Sequence, residues 1–181
     1  TGSAHLVFTG DPGTGKTTKV ARDLVKHFSA LPADAPRPRL ALAAPTGKAA
    51  ARMSEVLRKR CQDAGASAEV LAAVTAEPAR TVHKLLGYNP SRRHRYHYHA
   101  GNPLPYDLVI VDEASMLSSA LMHRLLSAVH PQAQVRLVGD PDQLASVDAG
   151  TVLGDLAMFG SDAHRGSPLH AAIETLTTIH R

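Results

Sequence analysis

The stretch GDPGTGKT, residues 10–17, fills all the fixed positions of the phosphate-binding pattern G-x-x-x-x-G-K-[ST]. An apolar run at residues 6–8 precedes it, and a helix-like segment follows it. Glycines let backbone N–H groups close around a polyphosphate, and the amino end of a helix favours anions. The stretch therefore predicts a strand, a phosphate-binding turn and a helix. The residues expected to bind phosphate are Gly10, Asp11, Pro12, Gly13, Thr14, Gly15, Lys16, Thr17 and Thr18.

Two side chains of this loop have specific expected roles toward ATP and Mg²⁺. Lys16 is expected to reach the β- and γ-phosphates, where its charge offsets theirs. Thr17 is expected to place its hydroxyl on Mg²⁺. The alternative, a glycine-rich turn with a surface lysine, does not require strand, turn and helix in this order.

Short apolar runs alternate with helix-like segments along the chain. Runs that are apolar at consecutive positions are typical of strands buried on both faces. The alternation predicts an α/β fold, with a parallel sheet and helices on both faces. Strands are predicted at 5–9, 39–44, 107–111, 134–138 and 175–179, and helices near 16–30, 46–63, 67–75 and 118–129.

We expect a single domain over residues 1–181, excised from a longer protein. Residues 87–105 combine Gly, Pro and Asn with basic and aromatic side chains and show no periodicity. They are predicted to form a basic, exposed excursion between a helix and a strand.

The composition narrows the class of protein. The formal net charge of +4 weakly favours polyanionic partners, and 44% hydrophobic residues are enough for a core. Cys61 is the one cysteine, so an internal disulfide is excluded, and we expect it on a helix. The sequence has no apolar run as long as a membrane span and no signal-peptide pattern. We therefore expect a cytoplasmic protein.

A second acidic motif follows the predicted strand at 107–111. Residues 108–113 read LVIVDE, so two carboxylates come at the carboxyl edge of the sheet, where α/β folds bind ligands. Asp112 is expected to hold Mg²⁺, and Glu113 to orient and deprotonate an attacking water. Apolar runs that end in Asp-Glu are common, but the phosphate loop makes this interpretation the stronger one.

The strand at 134–138 also ends in polar residues, LVGDPDQ at 137–143. Gln143 could bond the γ-phosphate or the water through its amide and report which nucleotide is bound. An ordinary Asp-Pro turn explains the same residues equally well.

Taken together, the motifs resemble the first motor lobe of superfamily 1 DNA helicases of the RecD type, 5′-to-3′ motors. The resemblance covers nearly the whole chain, and it implies a RecA-like P-loop NTPase fold and single-stranded DNA as a partner. It also implies other subunits of a nuclease-helicase complex. The matching runs are GDPGTGKTT, APTGKAAARM at 44–53, TVHKLLGY at 81–88, LVIVDEASML at 108–117 and LVGDPDQLASVDAGTVLGDL at 137–156.

The resemblance assigns further residues to the site. Pro45, Thr46 and Lys48 match one DNA-contacting segment, and His83 matches a second. Arg181 matches an arginine that contacts the γ-phosphate, and Lys16, Glu113, Gln143 and Arg181 form the expected catalytic set. From the residues alone, Thr46 is better explained as the amino-terminal cap of a helix, and His83 as a structural histidine.

The run at 92–99, RRHRYHYH, allows three interpretations. Cations with interleaved aromatic rings suit single-stranded nucleic acid, and a solvated basic loop is as good an explanation. A histidine metal site is disfavoured because no Cys or carboxylate completes a ligand set.

Two parts that proteins of this family carry have no counterpart in this sequence. They are the glutamine-containing segment before the phosphate loop, which holds adenine, and the second motor lobe. The chain alone is therefore expected to be weakly active or inactive in hydrolysis. The alternatives are the helicase lobe of a conjugative relaxase or of another superfamily 1 helicase, and a non-catalytic, nucleotide-gated interaction module.

Overall fold

Parallel strands occupy the middle of the fold. The computed structural model describes residues 5–9, 15–32, 34–92, 96–140 and 173–175 of the 181-residue chain. The strands are β1 (His5–Thr9), β2 (Leu40–Ala44), β3 (Arg80–Thr81), β4 (Leu108–Val111), β5 (Gln134–Val138) and β6 (Ile173–Thr175). Within the described residues they form one six-stranded sheet in the order β3-β2-β4-β5-β1-β6, and every neighbouring pair is parallel.

Four of the predicted strands match β1, β2, β4 and β5 to within one residue. The fifth, predicted at 175–179, shares only Thr175 with β6, and residues 176–179 lie outside the described residues. The two-residue strand β3 was not predicted, because so short a segment carries no periodicity.

The helices are α1 (Lys16–Ser29), α2 (Gly47–Asp63), α3 (Ala68–Val74), α4 (Val82–Leu85) and α5 (Ser119–Ala128). Side-chain hydroxyls cap four of them and fix where they begin. Thr46 accepts from the Ala49 N–H at 3.2 Å, and Ser67, Thr81 and Ser118 do the same for α3, α4 and α5. The predicted helices agree within one residue at each end, while α4, a single turn, was not predicted.

Helices cover both faces of the sheet, as predicted. Alternate residues of β2 separate the two cores: Leu40 and Leu42 face one, and Ala41 and Ala43 face the other. The first core lies under α1, α2 and α3 and includes Leu24, Phe28, Met53, Leu57, Val70, Val74 and Ile110. The second lies under α4 and α5 and includes Val82, Leu85, Leu104, Val109, Leu121, Met122 and Leu125.

Cys61 lies on α2, as expected, and is fully buried in the first core. Burial raises the pKa of its thiol to about 11, so the thiol stays protonated and unreactive near neutral pH. Within the described ranges, none of the helices combines the length and the apolar character needed to cross a bilayer.

Residues 87–105 are only in part the exposed excursion that their composition predicts. About half of the residues whose burial is described are exposed, and Arg93, His94 and Arg95 lie outside the described residues. Leu104, however, is buried, and its backbone N–H donates to the Ala128 carbonyl at 2.7 Å. Tyr96 and Tyr98 pack against the second core. Three apolar side chains therefore attach the segment to the domain.

Gly87 makes the sharp turn into this segment. Its φ is +66°, and a Cβ at this position would lie 2.7 Å from the Cβ of His97. Beside it, the Tyr98 N–H donates to the Leu86 carbonyl at 3.1 Å. Only glycine permits both the turn and this close approach.

Gly87→Ala should lower the free energy of unfolding by about 2 kcal/mol, because alanine is strained at positive φ and its Cβ would meet His97. Urea denaturation of the full-length protein, followed by circular dichroism, measures the change. Gly47→Ala is the matched control: a Cβ there meets nothing within 4 Å, and alanine favours the helix. Equal stability of the two variants would contradict the assigned role of Gly87.

Candidate nucleotide-binding site

The structure describes only the last residues of the phosphate-binding stretch, and these form the start of α1. Gly15 has φ +78° and ψ +19°, and the Lys19 N–H closes the first turn onto its carbonyl at 2.9 Å. The first turn of α1 has no acidic residue, so its amino end keeps its positive potential. Lys16, Thr17 and Thr18 lie half-buried in this turn. The expected phosphate contacts Gly10, Asp11, Pro12, Gly13 and Thr14 lie outside the described residues.

The two carboxylates of the acidic motif follow β4 directly. Both residues are half-buried, and the backbone N–H of Asp112 donates to the Ala43 carbonyl at 2.9 Å. This bond extends the ladder between β4 and β2 past the last strand residue. The Asp112 carboxylate, through Oδ1, accepts from the Glu113 N–H at 3.0 Å. The backbone therefore fixes where this carboxylate lies.

Opposing effects act on the Asp112 carboxyl. Burial is the largest and raises its pKa, while the Glu113 N–H and the charges of Lys16 and Arg52 act in the opposite direction. The net pKa lies above the ordinary value. Because Lys16 and Arg52 both act on Asp112, the start of α1 and the end of β4 belong to one electrostatic site. A bound divalent cation would relieve the cost of burying this negative charge.

Glu113 has an unusual backbone. Its φ is +52° and its ψ +36°, and it is the one non-glycine residue with positive φ in the part of the chain that the structure describes. This conformation costs a non-glycine residue about 1–2 kcal/mol. A 3₁₀ turn, Ala114–Met116, follows immediately, and the Met116 N–H donates to the Glu113 carbonyl at 3.0 Å. Such strain is concentrated at functional sites, where surrounding structure maintains it.

The strand order places the polar ends of three strands together. β5 lies between β1 and β4, so Asp140, two residues after β5, lies at the same edge of the sheet as the carboxyl end of β1 and Asp112. Asp140 is buried. The other two expected catalytic residues, Gln143 and Arg181, lie outside the described residues.

Sequence reasoning missed one charged contact between α1 and β5. Arg136 lies inside β5 with 6% of its surface exposed, and its Nη1 is 3.9 Å from Oδ2 of Asp23 on α1. Burial lowers the pKa of Arg136, and Asp23 partly opposes that shift. The pattern of β5 gave no sign of this contact, because the side chain of an arginine inside an apolar run is ordinarily expected to be exposed. Sequence reasoning also gave no sign of Ser115, whose buried hydroxyl has no hydrogen-bond partner among the described residues.

The expected DNA-contacting residues lie at the same edge, beyond β4. Pro45 and Thr46 follow β2, and α4, which carries His83, follows β3. Since Ala44 pairs with Thr81 in the β2–β3 ladder, the two segments start side by side. Thr46, Lys48 and His83 are exposed, and Pro45 is half-buried.

Thr46 forms the helix cap that the residues alone allowed. Its Oγ1 accepts a hydrogen bond from the Ala49 N–H and can still donate its own proton to a ligand. The ring of His83 lies 5.6 Å from that of Tyr88, in an edge-on arrangement. Capping and ring packing account for both residues structurally and leave their exposed atoms accessible.

Comparisons with known proteins agree with this architecture. The AAA domain family matches residues 1–149. The RecBCD enzyme subunit RecD of Mycolicibacterium smegmatis is 51% identical over 152 residues, which are 83% of this chain and 27% of that protein. The ATP-dependent RecD2 DNA helicase of Deinococcus radiodurans is 45% identical over 158 residues, 86% of this chain and 18% of that protein.

Among solved structures, the Pif1 helicase of Candida albicans superposes with a TM-score of 0.56. The match covers 98% of this chain and 37% of that one at 20% identity, so it shows the fold alone. The chain spans about a quarter of the length of the RecD subunits that it matches. It belongs to the AAA domain family and, within it, to the RecD-like lobes of superfamily 1 helicases.

Proposed function

We propose that this chain is the motor lobe of an ATP-dependent DNA helicase of the RecD type, which moves 5′-to-3′ along single-stranded DNA in recombination and repair. One observation supports this proposal best. The amino end of α1, the Asp112 carboxylate and the segments after β2 and β3 lie at one edge of a single parallel sheet. Nucleotide and nucleic acid would therefore bind to the same rigid frame.

In the proposed site, ATP binds across residues 10–18. Lys16 contacts the β- and γ-phosphates, and the uncapped amino end of α1 adds backbone N–H groups. The Thr17 hydroxyl and the Asp112 carboxylate would hold Mg²⁺, since both are the hard oxygen ligands that this ion prefers. Held there, Mg²⁺ would neutralise the phosphate charge that develops during transfer.

Glu113 is the proposed general base. It lies one residue beyond the proposed metal ligand, at the start of a tight turn, and its backbone is strained. From there the carboxylate can orient a water and accept its proton as the water attacks phosphorus. Gln143 and Arg181 are proposed to contact the γ-phosphate and to report its presence.

DNA contact is proposed at Pro45, Thr46, Lys48 and His83. The hydrogen bond from Asp112 to Ala43 directly joins the proposed metal ligand to the strand that leads into Pro45 and Thr46. Thr46 and Lys48 are suited to phosphate contacts, which position a nucleic acid without reading its sequence.

The wider assembly is also part of the proposal. A relative named as a subunit of the RecBCD enzyme supports a place beside other subunits. We propose that this assembly is a nuclease-helicase complex and that it works in the cytoplasm. Translocation requires a second lobe that closes on ATP. A missing arginine of the kind that such a lobe supplies reduces phosphoryl-transfer rates by about 10³–10⁵. We therefore propose that the chain alone binds nucleotide and hydrolyses it weakly.

Lys16→Ala should abolish nucleotide binding, because it removes the cation at the β- and γ-phosphates. Isothermal titration calorimetry with a non-hydrolysable ATP analogue measures the affinity. Lys19→Ala is the matched control, since Lys19 lies on the same helix and pairs with Asp23 at 3.6 Å. Affinity that Lys16→Ala leaves at the wild-type value would overturn the phosphate-loop assignment.

Glu113→Gln should leave nucleotide binding intact and reduce hydrolysis in the full-length protein by about 10²–10⁴. The strain at this position gives an independent check. Glu113→Gly should be more stable than Glu113→Ala by about 1 kcal/mol, the reverse of the usual order, because only glycine adopts positive φ without cost. Steady-state turnover and urea denaturation measure the two effects. Wild-type turnover in Glu113→Gln would exclude the general-base role.

Lys48→Ala should weaken binding of single-stranded DNA and reduce the slope of log affinity against log salt by about 0.7, the value for one lost phosphate contact. Fluorescence anisotropy of a labelled oligothymidylate, with and without the ATP analogue, measures both. Lys59→Ala is the control, since this exposed lysine lies about 16 Å further along α2. Nucleotide binding without any DNA affinity would instead indicate a nucleotide-gated interaction module.

A further inference from the structure

Four side chains from separate parts of the chain form a cluster of rings and cations beside α4. The ring of Tyr88 lies 5.2 Å from that of Tyr96, and His83 lies 5.6 Å from Tyr88 and 6.2 Å from Tyr96. The guanidinium of Arg124, on α5, lies over the Tyr96 ring, 5.0 Å from its centroid. We call these four residues the aromatic cluster.

The cluster is accessible but rigidly supported. His83 and Arg124, at its two flanks, are exposed, and the two tyrosines between them are half-buried. Tyr96 packs against the second core, and the His97 N–H donates to the Gly87 carbonyl at 3.4 Å, which links the backbone beside the two tyrosines. Rings held in this way lose little conformational freedom when a ligand stacks on them.

The charges around the cluster favour an anionic ligand. Arg124 takes part in none of the ion pairs that the described residues form, so its charge is not neutralised there. Lys84, next to His83 on α4, is exposed and adds a second cation. Aromatic faces beside cations are the combination that binds single-stranded nucleic acid without sequence preference.

The position of the cluster connects it with the proposed DNA contacts. His83 belongs to both, and α4 contacts β2, the strand that leads into Thr46. A strand bound at Thr46 and Lys48 and extended past His83 therefore reaches the tyrosines. Resting on the proposed DNA-binding function, we propose that Tyr88 and Tyr96 form a stacking site for a nucleobase of single-stranded DNA, with Arg124 contacting the base or its adjacent phosphate.

The alternative is that the cluster only attaches residues 87–105 to the domain, or binds another subunit. Stability measurements alone would not separate these roles from base stacking. The discriminating property is the nucleobase itself, because a stacking site requires its aromatic face whereas phosphate contacts do not.

The test measures single-stranded DNA binding by the full-length protein as a function of salt. Tyr88→Leu and Tyr96→Leu should each weaken binding by about 5- to 100-fold, with an unchanged salt slope, since no phosphate contact is removed. Tyr88→Phe should bind like the wild type. Tyr106→Leu is the control: Tyr106 is hydrogen-bonded to Glu77 at 2.9 Å and belongs to no ring pair of the cluster.

A second measurement needs no variant, so that a failure to fold cannot mask the result. An oligonucleotide with abasic positions keeps its phosphates and should bind the wild-type protein more weakly than oligothymidylate by a similar factor. Equal binding of the two oligonucleotides would overturn the stacking site.

The outcomes also separate this inference from the function on which it rests. If Lys48→Ala weakens binding and both leucine variants bind normally, the DNA-binding proposal stands and the stacking site is wrong. If the wild type binds no single-stranded DNA, both are wrong. Leucine variants that bind DNA normally but lose a partner subunit would assign the cluster to a protein interface and overturn the proposal.

Discussion

The arrangement of this site depends on the parallel pairing of β2 with β4. In a parallel sheet all strands end at one edge, so the residues after each strand come together there regardless of their separation in sequence. The pairing continues one step past the strands, where the Asp112 N–H donates to the Ala43 carbonyl at 2.9 Å. That bond sets the position of the acidic motif relative to Pro45 and Thr46. A slip of one residue would turn the strand side chains to the wrong cores and displace the carboxylate as well.

Several features at this edge oppose stability. Burial raises the pKa of Asp112, so keeping that carboxylate ionised in the folded protein costs free energy, only part of which Lys16 and Arg52 offset. Glu113 has a backbone conformation that glycine would adopt at lower cost. These costs are confined to one edge, while both faces of the sheet are packed with aliphatic side chains. Such a distribution is expected when a stable core supports a binding site whose groups are held in place for a ligand.

The sequence predicted the elements that have a local signal, and it missed those that depend on distant contacts. Local signals mark the strands β1, β2, β4 and β5, through their apolar runs, and the helices α2, α3 and α5, through their capping hydroxyls. The bounds of these strands and helices were predicted to within a residue. The strand β3 and the helix α4 are too short to show a period. The burial of Leu104 depends on the Ala128 carbonyl at the end of α5, and the packing of Tyr96 depends on the second core. The positive φ of Glu113 has no sequence signal, because glutamate is not a residue that favours it.

The internal links of the sheet limit how the proposed motor could work. β2, β4 and β5 are joined by continuous ladders, and the buried Arg136 additionally links β5 to Asp23 on α1. The proposed nucleotide and DNA segments are therefore attached to one frame, and close-packed frames of this kind do not deform gradually. Because the Asp112 N–H is hydrogen-bonded to the Ala43 carbonyl, three residues before Thr46, binding of ATP cannot move Thr46 far from Asp112. Under the proposed function, the large motion must occur between this lobe and a second one, while in the described part of this lobe short turns, such as the one after Glu113, have room to respond.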